Sequence, residues 1–331
     1  MKLITRLIKH KPKFLCGIVG SGNVVGHHIE ALCSLRHIKL NVIMGSNADI
    51  IIDRFQNLAL SKATNFKELC EKSDILLIAN ENQMHAHLAL EALRLEKGAL
   101  IEKPLGIDED SCQELIHTNA EDTLPLSIVS QRRYDRFIQN LKKWLKKNGE
   151  KKLNYGLFEF CWPRNQNYFS DHHLWRAKKD ISGGGCLMMH GIHFVDVMIY
   201  LFGKPEAVTC KCSKTTHLNI EVEDTFKTEF FFKDDFRFGI NGSIADRNPI
   251  PFQFKLETEN LEIYANHDIY NIGRKKKNLN GNLIDMWKDY ENLLLEEENC
   301  VPTLKEGLWA VQCVLAAYEA NKKGKKVWIS H

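Results

Sequence analysis

Short apolar segments alternate with helical patterns through residues 14–129, and this alternation restricts the possible folds more than any other feature. Runs such as 14–19 and 74–79 are almost continuously apolar, which is typical of strands buried on both faces of a parallel sheet. Helical spacing separates the predicted strands, which are 14–19, 40–44, 74–79, 98–102 and 125–129. The alternation predicts an open, mostly parallel, doubly wound α/β sheet.

The pattern changes after about residue 130, where polar and apolar residues begin to alternate with a period of two. This alternation is typical of an antiparallel sheet with one face on a core, and it occurs at 155–161, 207–212, 225–232, 236–244 and 252–264. Helices are predicted at 135–147, 186–202 and 304–322. The 331 residues therefore predict two domains, residues 1–130 and an α+β domain, residues 131–331, with a large open, mainly antiparallel sheet.

Charge and cysteine content argue against several classes of protein. Lys and Arg number 45 against 42 Asp and Glu, and the basic runs are short, so a nucleic-acid partner is not expected. The ten cysteines form no CxxC pair and no HExxH motif is present, so no metal site is expected. No apolar run has the roughly 18 residues of a membrane span. We expect a cytoplasmic protein without a membrane partner.

Gly20 and Gly22 follow the first predicted strand and precede the first predicted helix. Glycines in that position permit a tight turn and the close approach of a pyrophosphate, which the N–H groups at the helix N-terminus bind. Val25 stands where a third glycine, which serves helix–strand packing, is expected. The turn predicts a dinucleotide site in a Rossmann fold, and the alternative is a structural turn without a nucleotide.

The end of the second predicted strand, Met44 to Asn47, carries no Asp or Glu. An acid there would accept a hydrogen bond from the ribose 2′-hydroxyl of NAD and repel the 2′-phosphate of NADP. Ser46 and Asn47 could instead donate to a 2′-phosphate, although the nearest arginine is Arg54. The predicted cofactor is NAD or NADP, with a slight preference for NADP.

Four stretches together form a set of motifs that covers most of the chain. They are Gly20-x-Gly22 followed by His28, Ala31 and Leu32; Asn82-Gln-Met-His85; Glu102-Lys103-Pro104; and Gly183-Gly-Gly185, continued by Leu187, His193 and Asp196. The set resembles the glucose–fructose oxidoreductase/inositol dehydrogenase (Gfo/Idh/MocA) family. Trp162 to Tyr168 and Trp175-Arg176 are similar, less specifically, to segments of nucleotide-sugar 3-dehydrogenases.

The resemblance implies hydride transfer between a nicotinamide and a secondary hydroxyl of a sugar, nucleotide sugar or cyclitol, by a homodimer or homotetramer formed through the open sheet. It implies His193 as the base and Lys103 as the group that orients the hydroxyl. In similar proteins the Lys103–Pro104 bond can be cis. The candidate cofactor residues are Gly20, Ser21, Gly22, Asn23, Val24, Ser46, Asn47, Asn80, Asn82, His85 and Glu102, and the candidate substrate residues are Lys103, Arg164, Tyr168, Arg176, Met189 and His190.

Met189 departs from the family pattern, which has Asp, or Asn in some nucleotide-sugar members, four residues before the histidine. Methionine makes no strong hydrogen bond and accepts no proton. Either His190 or Cys186 takes over part of that role, or the substrate lies differently, or turnover is weak or lost. Two alternatives remain: a cofactor-binding sensor or regulator without turnover, and an NAD-dependent glycosidase.

Overall fold

The computed structural model describes residues 13–121, 123–149, 152–245, 248–272, 274–277 and 283–330, and these divide into two compact units. The first unit comprises the described residues up to Glu102, together with Glu114–Val129 and Leu283–Thr303. The second comprises Lys103–Gln113, the described residues from Ser130 to Asn282, and those from Leu304 onward. The chain thus first passes from one unit to the other at the peptide bond between Glu102 and Lys103.

A six-stranded parallel sheet forms the first unit. Its strands are β1 (Phe14–Val19), β2 (Ile38–Met44), β3 (Ser61–Lys62), β4 (Ile75–Ile78), β5 (Gly98–Ile101) and β6 (Leu126–Ile128). Their spatial order is β3-β2-β1-β4-β5-β6 and every neighbouring pair is parallel. The order reverses between β1 and β4, the switch point at which such sheets bind ligands. The predicted Rossmann sheet is confirmed.

The described residues contain ten α-helices. In chain order they are α1 (Asn23–Leu32), α2 (Ala48–Arg54), α3 (Phe66–Glu71), α4 (His85–Arg94), α5 (Glu109–Thr118), α6 (Arg136–Lys147), α7 (Lys179–Ser182), α8 (Ile192–Phe202), α9 (Leu283–Leu294) and α10 (Leu304–Lys323). The helical spacing of apolar residues at 24–36 predicts a longer helix than α1, which ends at Leu32 because Ser34 folds back and donates both its N–H and its hydroxyl to the Ala31 carbonyl. The sequence prediction also omitted the short α2 and α3, and α9.

A nine-stranded mixed sheet forms the second unit. Its strands are β7 (Leu153–Cys161), β8 (Ala207–Ser213), β9 (Thr225–Phe231), β10 (Arg237–Ser243), β11 (Ile250–Thr258), β12 (Glu262–Asn266), β13 (Ile269–Ile272), β14 (Arg274–Lys277) and β15 (Val327–Trp328). The order is β14-β13-β12-β11-β7-β10-β9-β8-β15, and β10 with β7 is the parallel pair among otherwise antiparallel neighbours. The predicted α+β unit with a large, mainly antiparallel sheet is confirmed. Assembly through this sheet stays a prediction.

Two predicted elements are interrupted in the structure. The prediction of one unbroken run at 252–264 was wrong, because a turn separates β11 from β12. In this turn the Thr258 hydroxyl accepts from the Leu261 N–H at 3.0 Å. The single helix at 186–202 was also wrong, because a π-helical turn, Leu187–Gly191, precedes α8. Both interruptions depend on backbone hydrogen bonding that apolar spacing does not encode.

Residues Lys179–Phe202 form the helical stretch of the described chain that is long and apolar enough to cross a membrane, with a mean hydropathy of 1.5. Within its most apolar window, 78% of the residues are buried inside the protein. Burial of this kind is what a core helix requires, and the buried residues of α8 belong to the core against the mixed sheet. The cytoplasmic location stays a prediction.

A buried ion-pair network ties three segments of the second unit together. The Arg133 guanidinium, 3% exposed, donates to Asp196 on α8 at 2.6 Å and to Glu306 on α10 at 3.0 Å. These two carboxylates raise the pKa of Arg133 although burial opposes them. The arginine is therefore a fixed cation whose burial depends on both partners.

We expect Asp196→Ala to lower the free energy of unfolding by about 3 kcal/mol, because it leaves a buried guanidinium short of its main partner. Denaturant unfolding monitored by circular dichroism measures the change. The matched control is Glu262→Ala, which removes an exposed ion pair with Lys255 and should change the free energy by less than about 0.5 kcal/mol. Equal effects of the two substitutions would contradict this account.

Candidate active site

The turn between β1 and α1 is shaped for close approach of a ligand. Gly20 has φ +121°, and a Cβ at that position would lie 2.2 Å from the Ala79 carbonyl oxygen, so only glycine fits. Gly22, the N-cap of α1, has open space where a Cβ would be, and no side chain caps the helix. The first N–H groups of α1 therefore have no capping side chain, and such free donors at a helix N-terminus suit an anion.

The end of β2 lies beside the same turn. The Ser21 hydroxyl accepts from the Asn47 N–H at 3.0 Å and lies 3.4 Å from the Ser46 hydroxyl. Ser21 thus lies beside Ser46 and Asn47, and Asn23 and Val24 form the start of α1 just after this turn. Val25, which stands where a third glycine is expected, is fully buried, and its side chain occupies space that a glycine would leave empty.

The ends of β4 and β5 bring the other candidate cofactor residues of the first unit near this turn. Asn80 follows β4, and its side-chain oxygen Oδ1 is buried with no hydrogen-bond partner among the described residues. The ring Nε2 of His85, at the start of α4, lies 3.1 Å from the Asn80 carbonyl oxygen. Asn82 is buried in the short turn before α4. An unsatisfied amide oxygen in this position is suited to a ligand that donates a hydrogen bond.

Glu102 belongs to a buried hydrogen-bonded chain that the sequence did not reveal. Trp287 on α9 donates its indole N–H to His28 Nδ1 at 2.9 Å, and His28 Nε2 lies 2.8 Å from Glu102 Oε1. Because Nδ1 accepts, Nε2 carries the ring proton and donates it to the carboxylate. Glu102 is thereby held at the end of β5 by a tryptophan far along the chain.

In the second unit, three glycines allow tight packing before the helix that carries the candidate catalytic histidine. A Cβ on Gly184 would lie 2.0 Å from the Tyr318 hydroxyl, and one on Gly185 would lie 1.9 Å from the Glu223 carbonyl oxygen. The buried Glu223 carboxylate accepts from the N–H groups of Gly185 and Leu187 at 3.1 and 2.8 Å. Glu223 therefore caps this helical segment and fixes where it begins.

Lys103 is held against the π-helical turn that follows. Its ammonium Nζ donates to the Met189 carbonyl oxygen at 2.7 Å, and the Lys103–Pro104 peptide bond is cis, as predicted. Met189, His190 and His193 are each partly buried on a segment whose other residues are mostly in the core. The contact places the lysine charge beside both histidines, since Lys103 is the charged group that acts most strongly on each.

His190 lies in a cluster with Tyr168 and two arginines. The Tyr168 hydroxyl is 3.2 Å from His190 Nε2, and the Arg176 guanidinium lies 4.3 Å from the centre of the Tyr168 ring. The Arg164 guanidinium is 5.5 Å from the same ring. The structure thus brings together the predicted residues Arg164, Tyr168, Arg176 and His190.

Burial and positive charge act together on the titratable groups of this cluster. Burial, followed by the charge of Lys103, lowers the pKa of both His190 and His193 well below the ordinary histidine value. Burial raises the pKa of Tyr168, and the two neighbouring arginines oppose that shift. At neutral pH both imidazoles are therefore uncharged, and each can accept a proton.

Two further residues lie in the same region: Arg132, which sequence reasoning missed, and Trp162, which it noted only as part of a similar segment. The Arg132 guanidinium lies 5.4 Å from the Trp162 ring centre, and it also contributes to lowering the pKa of His193. Trp162 packs edge-on against His190, with 5.7 Å between ring centres. Arg132 lies in a short 3-10 turn, Gln131–Tyr134, where no sequence motif marked it.

No group of three or more His, Cys, Asp or Glu side chains in the described part of the chain is arranged to hold a metal ion. His190 and His193, an HxxH pair, instead face Tyr168 and Lys103. The side chain of His172 lies outside the described residues. The ten cysteines, Cys210 and Cys212 with 3.5 Å between their sulfurs included, carry free thiols.

Two family models match the chain. Residues 14–129 match the model described as "Oxidoreductase family, NAD-binding Rossmann fold", and residues 138–264 match "GFO/IDH/MocA C-terminal domain". Together they cover the parallel sheet with its Gly20 turn and most of the segment that carries the His193 cluster and the mixed sheet.

Curated relatives and solved structures agree with these matches. The chain is 26% identical over 193 residues to glucose-6-phosphate 3-dehydrogenase of Bacillus subtilis, covering 56% of this chain and 53% of that protein. It is 20% identical over 354 aligned positions to scyllo-inositol 2-dehydrogenase (NADP(+)) of the same organism, covering 95% of this chain and 96% of that protein. The WlbA dehydrogenase from Bordetella pertussis, solved with NADH and UDP-GlcNAcA, has a TM-score of 0.86 at 19% identity, covering 96% of this chain and 99% of that one, which shows a shared fold.

The lowered pKa values of His190 and His193 predict a loss of stability in acid. The unfolded histidines protonate near pH 6.5 while the folded ones do so only at lower pH, so the unfolded state binds more protons below pH 6.5 and stability falls as the pH falls. Between pH 7.5 and 5.5, we expect His190→Gln and His193→Gln each to reduce this loss by roughly 1 kcal/mol. Urea unfolding at both pH values measures it, and an undiminished loss in both variants would contradict the assignment.

Proposed function

We infer the function of this chain from one premise: it belongs to the Gfo/Idh/MocA family of NAD-binding oxidoreductases. From that premise we propose that it transfers a hydride between a nicotinamide cofactor and a secondary hydroxyl of a sugar, nucleotide sugar or cyclitol. Relatives named for glucose 6-phosphate and scyllo-inositol dehydrogenation support this substrate class. The observation that carries the proposal is the contact of Lys103 with the Met189 carbonyl, beside two neutral histidines.

The residues of the first unit fit a dinucleotide. The open space at Gly22 and the uncapped N-terminus of α1 suit a pyrophosphate, and the unpartnered Asn80 Oδ1 suits a hydrogen-bond donor of the cofactor. Glu102, held by His28, would accept from the nicotinamide ribose. The bound nicotinamide supplies the acceptor for the hydride.

The residues of the second unit would handle the proton. During oxidation the carbon loses its hydrogen as a hydride, the hydroxyl O–H electron pair becomes the second bond of the carbonyl, and an unprotonated ring nitrogen of His193 takes the hydroxyl proton. The Lys103 ammonium stabilises the negative charge that develops on the oxygen. The low pKa of His193 keeps the ring ready to accept that proton at neutral pH.

His190 and Tyr168 would orient the substrate where the family pattern has an acid. The Tyr168 hydroxyl and the His190 ring are hydrogen-bonded to each other, and each can both donate and accept. Arg164 and Arg176 beside them suit oxygen-rich substrate groups, because a guanidinium binds oxyanions in two-point contacts. Met189 itself would contribute its backbone carbonyl, which positions Lys103.

A cofactor-binding sensor without turnover is the second candidate function. Met189 favours it, since no acidic or amide side chain stands one helical turn before His193. An NAD-dependent glycosidase, which would use transient oxidation, requires the same hydride step. The sensor differs from both in a single property: it binds the cofactor and never reduces it.

We expect the purified protein to reduce NAD or NADP in the presence of at least one member of a panel of sugars, sugar phosphates, cyclitols and UDP-sugars. His193→Ala should lower kcat about 10²–10⁴-fold, because the reaction loses its base, while the cofactor Kd stays within about twofold. Absorbance of the reduced nicotinamide measures the rate, and calorimetry measures the cofactor Kd.

The matched control is His87→Ala, which changes an exposed histidine on α4 and should leave kcat unchanged. Full activity of His193→Ala would show that another group is the base. Cofactor binding without reduction across the whole panel would overturn the dehydrogenase and favour the sensor.

We further propose that the site accepts NADP as well as NAD, with a slight preference for NADP. No acid follows β2, and the Ser46 hydroxyl is held beside the Ser21 hydroxyl at the turn. Ser46→Asp should therefore lower kcat/KM with NADP at least about tenfold, since a carboxylate repels the 2′-phosphate, and should favour NAD. Steady-state rates with both cofactors measure this change.

Ser46→Asn is the matched control, because it has nearly the same shape as the aspartate without its charge. It should keep the wild-type ratio of the two cofactors within about threefold. A charge-based preference at this position would be contradicted if both variants shifted equally toward NAD. It would also be contradicted if the aspartate variant did not shift.

A further inference from the structure

Two arginines of the second unit lie beside the candidate catalytic cluster without an acidic partner. Arg164 and Arg176 both face the Tyr168 ring, and neither forms an ion pair within the described part of the chain. Arg176 donates to the Tyr168 carbonyl oxygen at 3.3 Å, and its Nε is buried without a partner. A buried guanidinium nitrogen with nothing to donate to is costly, so this arrangement favours an external acceptor.

The two buried carboxylates just before β9 cannot serve as that acceptor. The Glu223 carboxylate accepts from the backbone N–H groups of Gly185 and Leu187 and from the Tyr318 hydroxyl. Asp224 accepts from the backbone N–H groups of residues 215–217, which lower its pKa to about 2. Both carboxylates therefore use their oxygens to hold the backbone in place.

Position 189, where the family pattern has an acidic or amide side chain, carries an uncharged methionine. It stands four residues before His193, on the segment that faces Lys103, and offers only its carbonyl oxygen. Lys103, Arg164 and Arg176 each lower the pKa of His190, and Lys103 and Arg132 each lower the pKa of His193. Each of these four side chains is a cation, so a substrate in contact with this cluster meets positive charge from several sides.

The space beside the cluster is large enough for more than a single small anion. A surface pocket of about 330 Å³ is lined by Arg132, Trp162, Arg164 and His267, among others. Trp162, which lines this pocket, also packs against His190. The pocket therefore combines the guanidinium groups of Arg132 and Arg164 with an aromatic side chain that touches the cluster, and Arg164 is the residue it shares with the arginine pair.

We propose that the substrate is an anionic sugar, whose carboxylate or phosphate group is bound by Arg164 and Arg176 while its reacting hydroxyl faces Lys103 and His193. The proposal rests on the proposed dehydrogenase function and specifies its substrate class. In this arrangement the substrate brings the negative charge that the protein lacks at Met189. An aspartate at that position would add a negative charge to this cationic cluster and so weaken the binding of an anionic sugar, whereas methionine adds no charge.

Binding measurements with sugars matched in shape and different in charge test the proposal. Calorimetry in the presence of NAD compares glucose with glucuronate and glucose 6-phosphate, and also tests UDP-glucuronate. We expect at least one anionic sugar to bind about 100-fold more tightly than glucose. Comparison of glucuronate with glucose 6-phosphate shows whether the recognised group is a carboxylate or a phosphate. If glucose binds as tightly as every anionic sugar, the proposal is wrong.

Two substitutions at Met189 separate charge from shape. Met189→Asp should weaken binding of the preferred anionic sugar at least tenfold more than Met189→Asn does, because the two side chains differ chiefly in charge. Thermal unfolding checks that both variants remain folded. Equal binding of the anionic sugar by the two variants would overturn the proposal.

Reduction of the cofactor is recorded separately in the same samples. Reduction with glucose or another neutral sugar, at a rate equal to that with every anionic sugar, would keep the proposed dehydrogenase and reject the anionic substrate. Tight binding of an anionic sugar without any reduction would keep the anion site and reject the dehydrogenase. The two proposals therefore fail on different results.

Discussion

The capping of the segment after Gly185 by the buried Glu223 carboxylate is the constraint on which the arrangement of the second unit depends. Gly184 and Gly185 let the chain approach Tyr318 and Glu223 more closely than any other residue could, and the carboxylate accepts from the N–H groups of Gly185 and Leu187. Since a helix begins where its N-terminal donors are satisfied, this contact sets the position of Met189, His190 and His193. The close packing that these glycines permit therefore decides where the candidate catalytic histidines lie.

The π-helical turn after this cap gives the cluster its electrostatic character. The turn presents the Met189 carbonyl to Lys103, whose ammonium donates to it. Burial together with the charge of this lysine keeps both histidines neutral. A neutral base beside a fixed ammonium is the combination that removing a hydroxyl proton requires, because one group takes the proton while the other stabilises the oxygen.

Much of the fold and part of the candidate site could be predicted from the sequence, for physical reasons that differ by element. Buried parallel strands leave continuous apolar runs, so β1, β4 and β5 were visible, as was the Gly20 turn that only glycine can form. The contact of Trp287 with His28 could not be predicted, since it joins residues 259 positions apart through tertiary packing. The π turn and the place of Arg132 were hidden for the same reason: hydrogen bonding and packing decide them, and residue spacing does not.

The central claim is that Lys103 and His193 act on the substrate hydroxyl that is oxidised. A crystal structure of the protein with oxidised cofactor and a bound sugar tests this claim most directly. We predict that the reacting hydroxyl oxygen lies within about 2.6–3.2 Å of both the Lys103 ammonium and a ring nitrogen of His193. A productive complex in which that oxygen lies beyond hydrogen-bond reach of both side chains, with another group in their place, would contradict the account.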